Sequence, residues 1–414
     1  PQDPTIVYVT LQKTAEDVAE FLCANSINAH PYHAGMDNDK REQIQNQFMD
    51  GNLACIVATI AFGMGIDKKD IRRIIHYDLP KSVENYSQEI GRSGRDGKPA
   101  LCEVLANRDN IHVLENFIYG DTPDKSSIRQ LLQTIKENKG FVWEIKMTRL
   151  SNDLNIRILP LKTLLVYLAM EKVIRPKLTY FEEYSFKFNT EPAEIINSFA
   201  GERKQFVAAI MDHCLIRKIW TSADIPAILN SYQTDRQRII AALEYFNEKG
   251  WIELQSKQAV EVFDILTQAF DPDDMAEKMY ALFKKKERVE IQRIHNMVRL
   301  FESDACISRQ LAEYFGENIK NERCSHCSFC QSGKAVVQNT TELKPLSHYD
   351  FREVTDEFIQ AVGDQFSEAN LTKFLCGIYT PVFSKSKIKK LPHFGILESY
   401  PFMEVKKWIK DKTG

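Results

Sequence analysis

The sequence predicts an α/β domain built on a parallel sheet, followed by mostly helical domains of winged-helix and cysteine-bound type. Three observations predict it. Short apolar runs alternate with helical patterns over residues 1–122, helix pairs followed by alternating stretches recur over 123–271, and four cysteines gather between positions 306 and 330. A chain of 414 residues has room for about two to four such domains.

In the first domain, Ile6-Val7-Tyr8-Val9 is an apolar run of the kind buried on both faces of a parallel sheet. Ala15, Val18, Ala19 and Leu22 then recur at helical spacing. Residues 29–32, 55–58, 73–76 and 101–105 are further strands. Strands alternating with helices place the functional loops at the strand C-terminal ends.

Residues 123–200 read as a first winged-helix-like unit. One helix spans 150–154, and Pro160 opens a second whose apolar stripe is Leu161, Leu164, Leu165 and Leu168. Residues 173–176 and 184–188 read as its wing strands. Residues 201–271 read as a second unit, with helices over 223–229 and 235–249, the latter stopped by Gly250. Its strands, 251–254 and 260–263, flank a Ser-Lys-Gln turn. A winged helix docks its recognition helix in a DNA groove, and Arg236 and Arg238 lie early in the longer helix, which makes them candidate DNA contacts. The bland reading is a protein-contact module.

Residues 272–332 read as a helical hairpin with the buried stripe Ile291, Ile294, Val298 and Phe301 and a surface rich in lysine and arginine. Residues 333–346 are polar and read as a linker, and 347–414 as a small helical module. In that module Lys373, Lys385, Lys387, Lys389 and Lys390 crowd around Phe383 and Phe394. Interleaved cations and rings suit single-stranded DNA, so Lys385 and Lys387 are candidate contacts. The competing reading is a bundle with a phenylalanine core and solvated lysines.

Composition bounds the function. Hydrophobic content of 43% and charged content of 27% are ordinary for a globular protein. A net charge of −3 gives no global attraction to nucleic acid, so any basic surface is local. No apolar run approaches the roughly 18 residues of a membrane span, so no membrane partner is expected. The opening Pro1-Gln2-Asp3-Pro4 leads at once into a strand, and we expect more chain upstream.

Nine cysteines without a secretory signal point to a reducing compartment, where clustered cysteines bind metal. Cys306, Cys324, Cys327 and Cys330 present four thiolates, matching tetrahedral Zn²⁺ in a closed, structural site. His326 is the poorer ligand candidate because it sits between two cysteines, and an iron–sulfur cluster is the alternative. The other five cysteines are isolated and read as small apolar residues.

Arg92 and Arg95 stand three apart beside glycines in Gln88-Glu-Ile-Gly-Arg-Ser-Gly-Arg-Asp96. Two guanidinium forks so placed suit a clamp on a polyphosphate as charge develops on its terminal phosphoryl group. The chain contains no Gly-x-x-x-x-Gly-Lys-Ser/Thr loop to cradle phosphates and Mg²⁺.

Four ordered motifs carry a family resemblance: Tyr32-His-Ala-Gly-Met36, Ala58-Thr-Ile-Ala-Phe-Gly-Met-Gly-Ile-Asp67, His76-Tyr-Asp-Leu-Pro80 and the Gln88 segment. Together they resemble the second, RecA-like motor domain of RecQ DNA helicases. The stretch Arg309 to Gly316 is similar to the segment joining the first and second zinc ligands of that family. The usual family order passes almost directly from motor to zinc hairpin. Here about 150 residues intervene, as in a subgroup with winged helices before the zinc site, so no residue is assigned to the usual unwinding hairpin.

The resemblance implies an ATP-dependent DNA helicase of 3′-to-5′ polarity acting in repair, recombination or replication, cytoplasmic and nucleoid-associated in a bacterium, or nuclear in a eukaryote. Its cofactors are one structural Zn²⁺ and ATP with Mg²⁺. Its partners are single-stranded, duplex or branched DNA, a first motor domain, and single-strand-binding or repair proteins. Gln88, Arg92 and Arg95 take catalytic roles, with Gly65, Asp67 and both arginines near the nucleotide. Thr59 and His33 face DNA. Without a phosphate loop the 414-residue chain is expected to be inactive alone. The rival readings are an RNA helicase of the same superfamily and a non-enzymatic zinc and winged-helix DNA-binding module.

Overall fold

A computed structural model of the chain describes residues 3–63, 66–216, 220–339, 342–363, 366–385 and 387–413, with Lys385 described by its backbone alone. The chain divides into two compact units, one of Pro1–Asp124 with Tyr280–Gly414 and one of Lys125–Met279.

The first unit opens with β1 (Thr5–Tyr8), α1 (Gln12–Ala24), β2 (Ala29–Tyr32), α2 (Asn38–Met49), β3 (Cys55–Ala58), β4 (Arg73–His76), α3 (Val83–Ile90), β5 (Leu101–Val104) and α4 (Ile111–Gly120). The five strands form one sheet in the order β2-β3-β1-β4-β5. Every pairing is parallel, with Thr5 opposite both Cys55 and Arg73. Burial on both faces explains the apolar runs. Ile6, Tyr8, Ile56 and Ile74 pack on one side with Phe48 and Phe62. Val7, Cys55 and Val57 pack on the other with Ala15 and Ala19. Two helices are started by side chains. Asp37 accepts from the Asp39 amide at 3.0 Å, and Ser82 accepts from the Asn85 amide at 3.2 Å.

The second unit holds α5 (Lys125–Lys136), β6 (Val142–Ile145), α6 (Met147–Leu154), α7 (Ile158–Met170), β7 (Ile174–Phe188), α8 (Pro192–Asn197) and α9 (Gly201–Asp212). It continues with β8 (Cys214–Ile216), β9 (Thr221–Ala223), α10 (Ile225–Ser231), α11 (Arg236–Glu248) and β10 (Ile252–Ile265). The two winged-helix-like units read as 123–200 and 201–271 share a single sheet, in the order β6-β10-β7-β9-β8. The two wing strands expected at 173–176 and 184–188 are one continuous strand, β7, paired antiparallel with β10. Its middle, Lys-Leu-Thr-Tyr-Phe-Glu-Glu, holds no glycine, proline or asparagine and several strand formers, so nothing breaks it. The expected Ser-Lys-Gln turn survives only as Gln258 at φ 56° within β10.

Helix α12 (Pro272–Phe301) carries the chain back into the first unit. There Met297 and Leu300 pack with Val83 and Tyr86 of α3, beside α13 (Ile307–Tyr314) and α14 (Ser328–Ser332). The segment read as a linker is anchored. Val337 is buried, its amide donates to Glu302 Oε1 at 3.0 Å, and the Gln338 carbonyl accepts from the Arg108 amide at 3.0 Å. The chain ends in α15 (Phe351–Val362), α16 (Glu368–Leu375), α17 (Pro381–Lys385) and α18 (Phe402–Thr413), around a core of Phe358, Phe374, Phe383 and Val405. This module docks on α4, where Tyr119 stacks on Phe402 with ring centroids 4.3 Å apart. Among the described residues no helix is long and apolar enough to cross a membrane.

Candidate functional site

The loops leaving the strand C-terminal ends gather most of the residues singled out by the motifs. Thr59 follows β3. It is buried, and its amide donates to the Tyr32 carbonyl at 3.2 Å. His33 follows β2. Its ring is buried, with Nε2 3.5 Å from Glu16 Oε1. Neither side chain is presented to solvent in this arrangement. Gln88 sits exposed on α3.

The two arginines beyond α3 differ sharply. The Arg95 guanidinium is 37% exposed, donating from Nη1 to Asp67 Oδ1 at 3.0 Å and from Nε to the Gly91 carbonyl at 3.2 Å. The structure thus brings Arg95 and Asp67 together at the surface. Arg92 is only 8% exposed, and its Nη1 donates to the Gly63 carbonyl. The sequence places both forks in the outward clamp; the structure turns one of them inward. Gly65, the remaining nucleotide-side candidate, lies outside the described residues. A buried pair that the motifs do not reveal stands behind these loops. His76 Nε2 lies 2.8 Å from Glu89 Oε2, tying the end of β4 to α3.

The four cysteines converge from the α12–α13 turn (Cys306), the loop entering α14 (Cys324 and Cys327) and α14 itself (Cys330). Their sulfurs all lie within 4.8 Å of one another, with Cys324–Cys330 and Cys306–Cys327 at 3.9 Å. A tetrahedron with Zn–S bonds of about 2.3 Å has sulfur–sulfur edges of about 3.8 Å, so the sulfurs are placed for one such ion. The separations are far above the roughly 2.05 Å of a disulfide. Burial acts to raise the Cys324 thiol, but donation from Ser308 Oγ and the amides of His326 and Cys327 outweighs it and lowers the thiol to about 5. The Cys327 thiol is also held below its ordinary range, burial opposing and backbone donation prevailing. Burial pushes the Cys330 thiol up to about 11, so the metal-free cluster favours the thiolate at Cys324 and Cys327 but not at Cys330. His326 is exposed and is not part of the cluster.

The remaining DNA candidates are not gathered. Arg236 donates to the Phe181 carbonyl at 2.5 Å and lies over the Tyr180 ring. Arg238 makes a two-pronged pair with Glu202 at 2.7 and 2.9 Å and covers Phe206. Both arginines therefore fasten α11 to its own unit. Lys387 is exposed at φ 52°, and the side chain of Lys385 lies outside the described part. Lys373, grouped in sequence with a basic stripe, is buried and pairs with Asp124 at 3.2 Å.

A family described as "Helicase conserved C-terminal domain" matches residues 1–97, and one described as "RecQ zinc-binding" matches 272–331. Both matches support reading these regions as a C-terminal RecQ helicase fragment. The chain is 28% identical over 269 residues to "ATP-dependent DNA helicase Q-like 5" of Arabidopsis thaliana, covering 63% of the chain and 29% of that protein. It is 38% identical over 138 residues to "Bifunctional 3'-5' exonuclease/ATP-dependent helicase WRN" of Mus musculus, covering 33% of the chain and 10% of that protein. Among solved structures, E. coli DEAD-box protein SrmB matches with a TM-score of 0.25 at 27% identity, over 27% of this chain and 65% of that one. The chain thus spans 29% and 10% of the length of these two helicase relatives.

Sequence reasoning missed three residues that support these regions. Tyr8, read as strand core, places its hydroxyl 3.2 Å from the Phe62 carbonyl beside Arg92. Ser308 donates to Cys324 Sγ at 3.4 Å. Glu302 accepts from both Arg108 and the Val337 amide. None carries a motif, because each acts through partners distant in sequence.

Proposed function

We propose that the protein containing this chain is an ATP-dependent DNA helicase that translocates 3′ to 5′ on single-stranded DNA and unwinds duplex or branched substrates. The observation that carries the reading is the Arg95–Asp67 pair, held at 3.0 Å on the loops at the strand C-terminal ends. A guanidinium presented there can exchange its carboxylate for a terminal phosphoryl group of ATP brought by a first motor domain, which would also supply Mg²⁺. Asp67 would then be free to meet the ribose, Gln88 to orient water, and Gly65 to approach the nucleotide. Thr59 and His33 would have to turn out of their buried positions to meet a DNA backbone, in contacts that hold phosphates without reading bases. Cys306, Cys324, Cys327 and Cys330 would hold Zn²⁺ as a closed structural centre.

The 414-residue chain is proposed to have no appreciable ATP turnover, since it contains no phosphate loop. Full-length protein should unwind a duplex with a 3′ single-stranded tail and leave a 5′-tailed one intact. Equal unwinding of a matched RNA duplex would favour an RNA helicase. Binding without any unwinding or ATP turnover would favour the non-enzymatic module.

A further inference from the structure

Arg92 lies three residues before Arg95 in the same motif, yet its guanidinium is packed into the protein. Nη1 donates to the carbonyl of Gly63, which belongs to the loop leaving β3. The Tyr8 hydroxyl donates to the neighbouring Phe62 carbonyl at 3.2 Å. Burial raises the Tyr8 phenol well above its ordinary range, and the nearby Arg92 charge and hydrogen bond oppose that rise. The β1 phenol, the β3 loop and the turn after α3 therefore meet at one guanidinium. Gly63 makes the fit possible: a Cβ there would lie 2.7 Å from Arg92 Nη2 and 3.0 Å from Cζ. No left-handed φ is needed at Gly63, so the restriction is one of space alone.

We infer that Arg92 is a positioning residue, a latch through Gly63 and Tyr8 that holds the Thr59 loop in register with Arg95, rather than a second nucleotide ligand. The inference rests on the helicase reading and refines it. Thr59 begins the stretch that Gly63 continues, and Arg95 follows Arg92 by three residues in the turn after α3. A strut between them transmits any displacement of the DNA-side loop to the ATP-side arginine. The carbonyl acceptor suits this role. It is neutral and fixed, and a buried guanidinium left without it would be costly, so the latch favours one arrangement of the two loops.

The prediction concerns pairs of variants in the full-length protein. Gly63→Ala adds one methyl group whose first contact is the flexible end of Arg92, so the fold is retained while the guanidinium is pushed from its seat. Gly63→Ala and Arg92→Ala should behave alike. Each should lower DNA-stimulated kcat by about tenfold or more while leaving KM for ATP within about threefold. Each should also raise the DNA concentration that gives half-maximal stimulation. Tyr8→Phe should shift the same parameters in the same direction by less, and gives the comparison should either other variant fail to fold.

The inference is overturned if Gly63→Ala and Tyr8→Phe hydrolyse ATP as wild type does. It is equally overturned if Arg92→Ala raises KM for ATP by more than about tenfold while Gly63→Ala does not, the pattern of a direct nucleotide ligand. A wild-type protein without any ATPase would remove the helicase reading instead. The latch would then still be read from melting of the 414-residue chain, which Arg92→Ala should lower and Arg95→Ala should not. Equal melting of all variants would remove the latch as well.

Discussion

Arg92 and Arg95 are indistinguishable as residue types, and only their surroundings separate them. The turn after α3 directs one guanidinium onto the Gly63 carbonyl and the other toward Asp67. The motif made the pair visible in sequence, but not which member faces outward, because that depends on a neighbour 29 positions away. Another distant contact yields a prediction at this scale. Burial acts to raise the Glu302 carboxyl, but the Arg108 guanidinium and the Val337 amide prevail and hold it below the usual range. A carboxyl lowered on folding contributes stability above its unfolded value of about 4.3, and that contribution is lost as pH falls through the folded value. The pair is partly exposed, so its worth is on the order of 1 kcal/mol or less. Glu302→Gln should therefore lower the melting temperature at pH 7, and the difference from wild type should shrink below about pH 4. A gap that widens in acid would contradict the assignment.

At the scale of elements, the parallel sheet was legible because burial on both faces leaves continuous apolar strands. The antiparallel sheet was less so. The middle of β7 is exposed and polar enough to resemble a connection, yet pairing with β10 continues through it. Cysteine spacing, by contrast, located the four-cysteine cluster directly, since two Cys-x-x-Cys steps leave few other geometries. Ser308, which supports it, carried no spacing signal. Metal removal tests this element. Cys327 and Phe329 pack beside Met297 and Ile307, so the centre holds the α12–α13–α14 corner against α3. Purified protein should contain one zinc per chain. Chelation, or Cys324→Ser, should make this corner sensitive to protease, because structural zinc affinity is folding free energy. Metal-free protein with unchanged proteolysis and melting would rule out a structural zinc.

At the scale of the whole molecule, the C-terminal module illustrates what sequence patterns conceal. Its phenylalanines and lysines alternate as in a single-strand-binding surface, but Phe374 and Phe383 are wholly buried and Lys373 is paired with Asp124. Part of the apparent DNA stripe is therefore core and docking contact. Asp124 and Tyr119 fasten the module to α4 and the segment that follows it. Removing one partner of a buried pair costs about 3–5 kcal/mol, and partial exposure of Asp124 places this pair at or below the low end. Asp124→Asn should lower the melting temperature and leave the slope of log DNA affinity against log salt unchanged. A shallower slope with unchanged melting would return Lys373 to the DNA-binding surface.

The central claim is that this chain supplies the arginine that completes an ATP site on a motor. Single-turnover ATP hydrolysis by full-length protein carrying Arg95→Ala, measured with nucleotide affinity, tests it most directly. The account predicts ATP binding within severalfold of wild type and hydrolysis slower by about 10³-fold, the scale of a lost arginine finger. Hydrolysis at the wild-type rate in that variant would contradict it.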